Sequence, residues 1–341
     1  MTTKAKPAAQ WDDEVWVERY GLICPPKRGK IVTIHGVGDK DTYNPALYEG
    51  DGGPVLAFRC EARSSNAATP VSYHPSIAFA RPDAHGIWRL AKDIEAFGMM
   101  EDPFVFYAEE RGLQQVVFGG VWVRNMHGTI VPRTEFYKGD SLETLERIPF
   151  AVVDNMKDVR LLQLPDDRLL ICRRPQGDKY VRGRITLHVI DTLDQLVEID
   201  KSDLPVLAIL DSCQDALDWV GVNSIYMLKD SEGRAWVGLL GHVALEDHKG
   251  TLHYAVCTYR IALHDLLGSK VHKVCPHIIA TRSCFEDGPA KTDAIRDVVF
   301  PGHLQHIDGY TYRLWAGLSD ARIGCLELED PFHLRDTVAE A

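Results

Sequence analysis

The chain reads as a succession of short runs in which apolar and β-branched residues gather and are then broken by Gly, Pro, Asn or Asp. The runs fall at 30–35, 55–63, 76–81, 104–108, 115–123, 133–137, 159–164 and 169–174. They continue at 184–190, 224–228, 235–241, 253–263, 277–281, 297–300, 310–315 and 322–327. Pro165-Asp166-Asp167 supplies a hairpin turn between two of them. Helical periodicity is confined to 142–147, 193–197 and 291–296, all short. The pattern therefore predicts an all-β chain. Its strands group near 30–95, 102–140, 155–200, 220–280 and 295–330, and five such groups match a five-bladed β-propeller. Tandem β-sandwiches are the competing arrangement. No Pro/Ser/Gly-rich linker divides the chain, which favours one closed domain over 30–335 after an N-terminal extension over 1–29. Innermost strands of a propeller face one axial cavity, so residues distant in sequence share a pocket.

Composition narrows the function. A chain of 341 residues that is 45% hydrophobic can bury a large core. Its net charge of -11 argues against a nucleic-acid or anionic-membrane partner, because both need a basic face. There is no apolar run long enough to span a bilayer, and residues 1–10 lack the apolar centre of a secretion signal, so a cytoplasmic protein is expected. The eight cysteines contain no Cys-x-x-Cys pair and most are expected to be reduced, and the fourteen histidines show no His-Glu-x-x-His spacing. Neither a metal nor a cofactor is expected.

Glu101-Asp102-Pro103 precedes an apolar strand and reads as a loop that delivers a carboxylate onto the strand's first residue. A plain strand-initiating turn reads the same way, and Glu329-Asp330-Pro331 repeats the tripeptide. Arg59, Glu61 and Arg63 alternate onto one strand face, as either an exposed ion-pair ladder or a buried polar network. Lys157-Asp158-Val159-Arg160, Arg173-Arg174-Pro175, Gly241-His242 and Ala280-Thr281-Arg282-Ser283 add cations and a glycine-framed histidine. Lys291, Asp297 and Asp320 follow in the last third. Taken alone, His242 is as readily a core or loop residue, and Tyr254 a packing aromatic. Cations gathered around isolated carboxylates in an acidic chain point to a local oxyanion pocket, with phosphate the best fit.

Glu101-Asp102-Pro103, Arg173-Arg174-Pro175, Gly241-His242, Asp297-Val298-Val299-Phe300-Pro301-Gly302 and Ala316-Gly317-Leu318-Ser319-Asp320 occur in an order that resembles the mannoside phosphorylases of glycoside hydrolase family 130. Tyr43-Asn44-Pro45, Arg59-x-Glu61-x-Arg63, Arg174-Pro175-Gln176-Gly177 and Ala280-Thr281-Arg282-Ser283 bring the chain closer to a related group of bacteria and trypanosomatid parasites, first catalogued as a domain of unknown function. That group includes β-1,2-mannosyltransferase/phosphorylases that build and degrade the mannan reserve mannogen. The resemblance implies a five-bladed propeller. Its partners would be mannose oligosaccharides, mannose 1-phosphate or inorganic phosphate, and GDP-mannose. Asp102 resembles the catalytic acid, and Asp320 the carboxylate that grips the sugar. Asn44 and Arg59 would line the donor-sugar site, with Glu61, Asp158, Asn223 and Asp297 completing the substrate contacts. Arg174, His242 and Tyr254 would face phosphate, joined by Arg282 and Lys291. The chain departs from the family-130 pattern at Asp158-Val159-Arg160, where that pattern has Arg-Asn, and at Asn223, where it has a lysine. Lys291 replaces that lysine if its loop folds inward. A non-catalytic carbohydrate-binding propeller and a mannoside hydrolase are the alternatives.

Overall fold

The computed structural model describes residues 16, 20, 29–50, 52–63, 74–110, 113–126, 129–175, 184–199, 203–211, 218–268 and 270–335. Cys24, Gln176, Gly177 and Cys213 lie outside them.

The chain is all-β, and its strands form four hydrogen-bonded sheets that divide along the sequence into five successive groups. After β1 (Lys30–Val32), the first group holds β2 (Lys40–Gly50), β3 (Gly53–Ala62), β4 (Ser76–Pro82), β5 (Trp88–Leu90) and β6 (Phe97–Gly98). The second is β7 (Met100–Glu110), β8 (Leu113–Met126), β9 (Thr129–Gly139) and β10 (Ala151–Asp154). The third is β11 (Met156–Gln163), β12 (Leu169–Pro175), β13 (Ile185–Ile190) and β14 (Ala208–Leu210). The fourth contains β15 (Trp219–Lys229), β16 (Ala235–Glu246) and β17 (Leu252–Ala262). After it, β18 (His272–Val274) pairs back onto β14, and β19 (His277–Ala280) pairs with β17. The fifth is β20 (Asp297–Asp308), β21 (Thr311–Leu318) and β22 (Arg322–Glu329), and β1 completes it by pairing with β22. β15–β17 and β20–β22 share one eight-stranded sheet through the parallel pairing of β17 with β20. The segment at 142–147 is turn rather than helix, 193–197 lies in a 3-10 helix (Leu193–Glu198), and 291–296 keeps only the 3-10 turn Asp293–Ile295.

The first strands of the five groups stand side by side in a closed circuit: β2 beside β7, β7 beside β11, β11 beside β15, β15 beside β20, and β20 beside β2. Five apolar clusters fill the spaces between neighbouring groups. Middle strands therefore bury both faces. On β16, Leu239 points into the core shared with the third group, and its neighbour Leu240 into the core shared with the fifth. On β8, Val117 and Phe118 divide in the same way. Successive side chains alternate in direction, so a strand buried on both sides reads as a continuous apolar run. Fully burying each such side chain contributes about 1.5–3 kcal/mol. Trp16 is fully buried in the core between the third and fourth groups, so at that residue the N-terminal extension is part of the packing. Cys60, Cys172, Cys257, Cys284 and Cys325 are free thiols as expected, whereas Cys275 is disulfide-bonded.

Candidate active site

Each inner strand is interrupted by a register shift near its start: between Tyr43 and Ala46, Glu101 and Phe104, Lys157 and Arg160, Val222 and Ser224, and Pro301 and His303. The sequence explains why. Pro45, Pro103 and Pro301 have no N–H to give to a ladder, and Asn and Asp tolerate the left-handed backbone that a bulge needs. Asn44, Asp102 and Asp158 take φ values of 47°, 53° and 54°. The bulge re-aims its residue, and in β2, β7 and β11 it turns Asn44, Asp102 and Asp158 into the shared cavity. Asp102 thus sits inside β7 at a bulge rather than on the strand's first residue.

These residues line one cavity of about 310 Å³, at the small end of the ~300–1,000 Å³ range of small-molecule sites. Asn44, Arg59, Asp102, Asp158, Arg174, His242, Tyr254 and Asp320, all expected from the sequence, meet there. Glu101, Lys157, Leu252, Ile295, Val298 and Phe300 complete the wall. Gly317 permits the arrangement, since a Cβ on it would lie 2.1 Å from Asn44 Oδ1. Gly221 does the same opposite, where a Cβ would lie 2.1 Å from the His242 ring and 2.8 Å from Asp158 Oδ2.

The polar contacts divide the cavity in two. On one side Asn44 Nδ2 donates to Asp102 Oδ1 at 2.7 Å, and Arg59 reaches Glu101 at 2.9 Å but Asp102 only at 3.7 Å. Burial and the neighbouring Glu101 charge push the Asp102 carboxyl upward, and Arg59 and Lys157 only partly oppose them. Asp320, from the turn after β21, is pushed up to about 6, chiefly by burial. On the other side Arg174 pairs with Asp158 and donates to Val220 O at 3.3 Å. Burial would raise Asp158, but Arg174, then His242 and Arg160, outweigh it and hold the carboxylate low. His242 stacks on Tyr254, with ring centroids 5.2 Å apart and planes 14° apart, and burial drops its pKa to about 4. The neutral ring donates from Nδ1 to Asn223 Oδ1 at 3.0 Å, which leaves Nε2 as an acceptor.

Several expected contacts stand behind or beside the wall. Asn223 orients His242, and Asp297 accepts from His253 Nδ1 at 2.7 Å. Arg282 is fully buried, donating to Ser319 Oγ at 3.2 Å and Glu286 O at 2.9 Å, beneath the turn that carries Asp320. The loop of Lys291 does fold toward the site, yet its ammonium pairs with Glu61 and donates to Tyr43 OH at 3.2 Å. Glu61 in turn accepts from Arg59 Nε at 2.6 Å, so Arg59 and Glu61 form a buried network, while Arg63 is half exposed and pairs with Asp41. Sequence reasoning passed over Glu101, Lys157 and Arg160 as site members. The signal was present in the paired tripeptides Glu101-Asp102-Pro103 and Lys157-Asp158-Val159, each a charged residue followed by a bulge aspartate. Arg160 is buried over the Phe104 ring at 4.2 Å and donates to Asn223 O at 2.7 Å. Among the described residues, no three His, Cys, Asp or Glu side chains converge to hold a metal, and no helix is long and apolar enough to cross a membrane.

The fold is shared with solved structures. A mannose phosphorylase from Leishmania mexicana, MPT-4, in complex with phosphate ion, is 25% identical, with a TM-score of 0.73 over 91% of this chain and 90% of that one. A GDP-Man-dependent mannosyltransferase from the same organism, MPT-1, is 22% identical, with a TM-score of 0.73 over 94% of each chain. A β-1,2-mannobiose phosphorylase from Listeria innocua is 13% identical, with a TM-score of 0.60 over 94% of this chain and 97% of that one. Among curated protein sequences, none matches the chain. The family described as "Protein of unknown function (DUF1861)" matches residues 26–334, nearly the whole length, and the chain belongs to it.

Proposed function

We propose that the chain is an inverting mannoside phosphorylase/mannosyltransferase acting on β-1,2-linked mannose, with residues 30–335 forming one five-bladed β-propeller. The observation that carries this reading is a single cavity in which a carboxyl with a raised pKa, Asp102, shares the wall with the cations Arg59, Lys157 and Arg174. The likeness to a phosphate-bound mannose phosphorylase supports it. An inverting hydrolase needs a second carboxylate to activate water, whereas phosphate is already an anionic nucleophile. The protein has then to hold phosphate beneath the anomeric carbon and protonate the departing oxygen.

In this reading Asn44 and Asp320 hold the mannosyl unit, and Lys157 and Arg174 receive phosphate. His242 Nε2 accepts a hydrogen bond from the hydroxyl of hydrogen phosphate. A phosphate oxygen forms the new bond to the anomeric carbon as the glycosidic C–O bond breaks. The proton of Asp102 passes to the leaving oxygen, directly or through a sugar hydroxyl, giving α-mannose 1-phosphate and a shortened oligosaccharide. In reverse, or from GDP-mannose, the Asp102 carboxylate takes the acceptor's proton and phosphate or GDP departs. No step calls for a metal. The test is β-1,2-mannobiose with phosphate: wild type releases mannose 1-phosphate, and Asp102→Asn loses at least about 10³-fold in turnover while still binding mannose 1-phosphate. Release of free mannose instead, or an active Asp102→Asn, overturns the reading.

A further inference from the structure

Two identical tripeptides carry different surroundings. In Glu329-Asp330-Pro331, Glu329 is exposed, and Asp330 spends its oxygens on the backbone N–H groups of Leu334 and Arg335, both at 2.8 Å. In Glu101-Asp102-Pro103 the glutamate is only 3% exposed and sits between two cations. Arg59 lies 2.9 Å from its Oε2, and Lys157 lies 3.1 Å from its Oε1. Asp102, one residue on, is left with the neutral Asn44 amide at 2.7 Å and the same guanidinium at 3.7 Å. Among the described residues no hydrogen bond reaches Asp102 Oδ2, which is therefore available for a proton.

We propose that Glu101 is a positioning residue that keeps Asp102 a proton donor: it draws Arg59 and Lys157 onto its own carboxylate and places a second negative charge beside the acid. This rests on the reading of Asp102 given above. The groups facing Asp102 are Arg59 from β3, Lys157 and Arg160 from β11, Asp320 from the turn after β21, and Glu101 from its own strand. With Glu101 neutralised, the two cations nearest the acid lose their partner and act on Asp102 instead, which favours its ionised form. The same cations become free for an entering phosphate. Glu101 thus trades phosphate affinity for a protonated acid. Burial also raises Asp102, so the acid survives the change with a lower pKa rather than disappearing.

The experiment pairs Glu101→Gln with Lys157→Met and reads phosphorolysis against pH, the phosphate KM, and the Asp102 carboxyl titration by ¹³C NMR. Glu101→Gln is expected to move the basic limb of the rate profile, and the NMR midpoint, down by about one pH unit or more, and to lower the phosphate KM. Lys157→Met is expected to move both limb and midpoint up and to raise the KM. A uniform loss of kcat with an unmoved profile and KM in Glu101→Gln marks a merely structural role and overturns the proposal. The NMR midpoint and the binding of inorganic phosphate are readable without turnover. Failure of Asp102→Asn to abolish activity therefore sinks the reaction assignment, and an unshifted Asp102 midpoint sinks the role of Glu101.

Discussion

The Arg174–Asp158 pair offers a quantitative test of how the cavity is held together. Both side chains are about nine-tenths buried, 10% and 7% exposed, and the guanidinium also holds Val220 O at 3.3 Å. Arg174→Met leaves a buried carboxylate without its closest cation. Removing one partner of such a pair costs about 3–5 kcal/mol. Because Arg160 and Lys157 still act on Asp158, we expect the lower end, about 3 kcal/mol at pH 7.5. The pH dependence has a defined sign. In the wild type the Asp158 pKa lies below its unfolded value, so the pair's contribution is complete at pH 5 and above and is lost only as pH falls through the depressed pKa. In the variant, burial raises the same pKa, so the carboxyl takes up a proton as pH falls and the penalty shrinks between pH 7.5 and 5. Urea unfolding followed by tryptophan fluorescence at both pH values, for Arg174→Met, Asp158→Asn and the double variant, measures this. Recovery of at least half the loss in the double variant is expected. A loss below about 1 kcal/mol at pH 7.5, or one equal at both pH values and undiminished in the double variant, would refute the argument.

Two further outcomes follow from the same geometry. The Asp320 carboxyl is raised to about 6, first by burial, so the folded state binds a proton the unfolded chain has released. Ionising it costs stability that grows as pH rises from about 4 to 6. Asp320→Asn should be more stable than wild type by on the order of 2 kcal/mol at pH 7.5, gain less at pH 5, and lose mannose binding; thermal melts showing the reverse order of gains would contradict this. Gly317→Ala places a Cβ 2.1 Å from Asn44 Oδ1 and 2.6 Å from its backbone nitrogen. Overpacking there should cost about 1–3 kcal/mol and lower turnover by displacing Asn44 from Asp102. Gly52→Ala, which meets nothing within 4 Å, serves as the control, and equal melting temperatures for the two variants would discredit the close approach.

Much of this molecule was legible in its residues. The alternation of apolar runs with Gly, Pro and Asx turns determined an all-β chain, because it follows from local backbone preference. How the strands share sheets, with β17 pairing β20 across two of the expected groups, was decided by the tertiary structure. Eight of the thirteen expected site residues line the cavity. Short strands such as Trp88–Leu90 and Ala208–Leu210 escaped notice, since three residues carry no period and depend on a neighbour for their hydrogen bonds.

What the tertiary structure alone decided is the meaning of each charge. Glu101-Asp102-Pro103 and Glu329-Asp330-Pro331 are the same string, yet one faces Arg59 and Lys157 across the circuit and the other caps two backbone amides. Lys291 was expected among the phosphate-facing cations, but it pairs with Glu61, and Lys157 lines the cavity beside the expected Arg174. A side chain's charge state is set by burial and by partners within a few ångströms, and here those partners come from different sheets, far apart along the chain. Composition and periodicity carry no record of that distance.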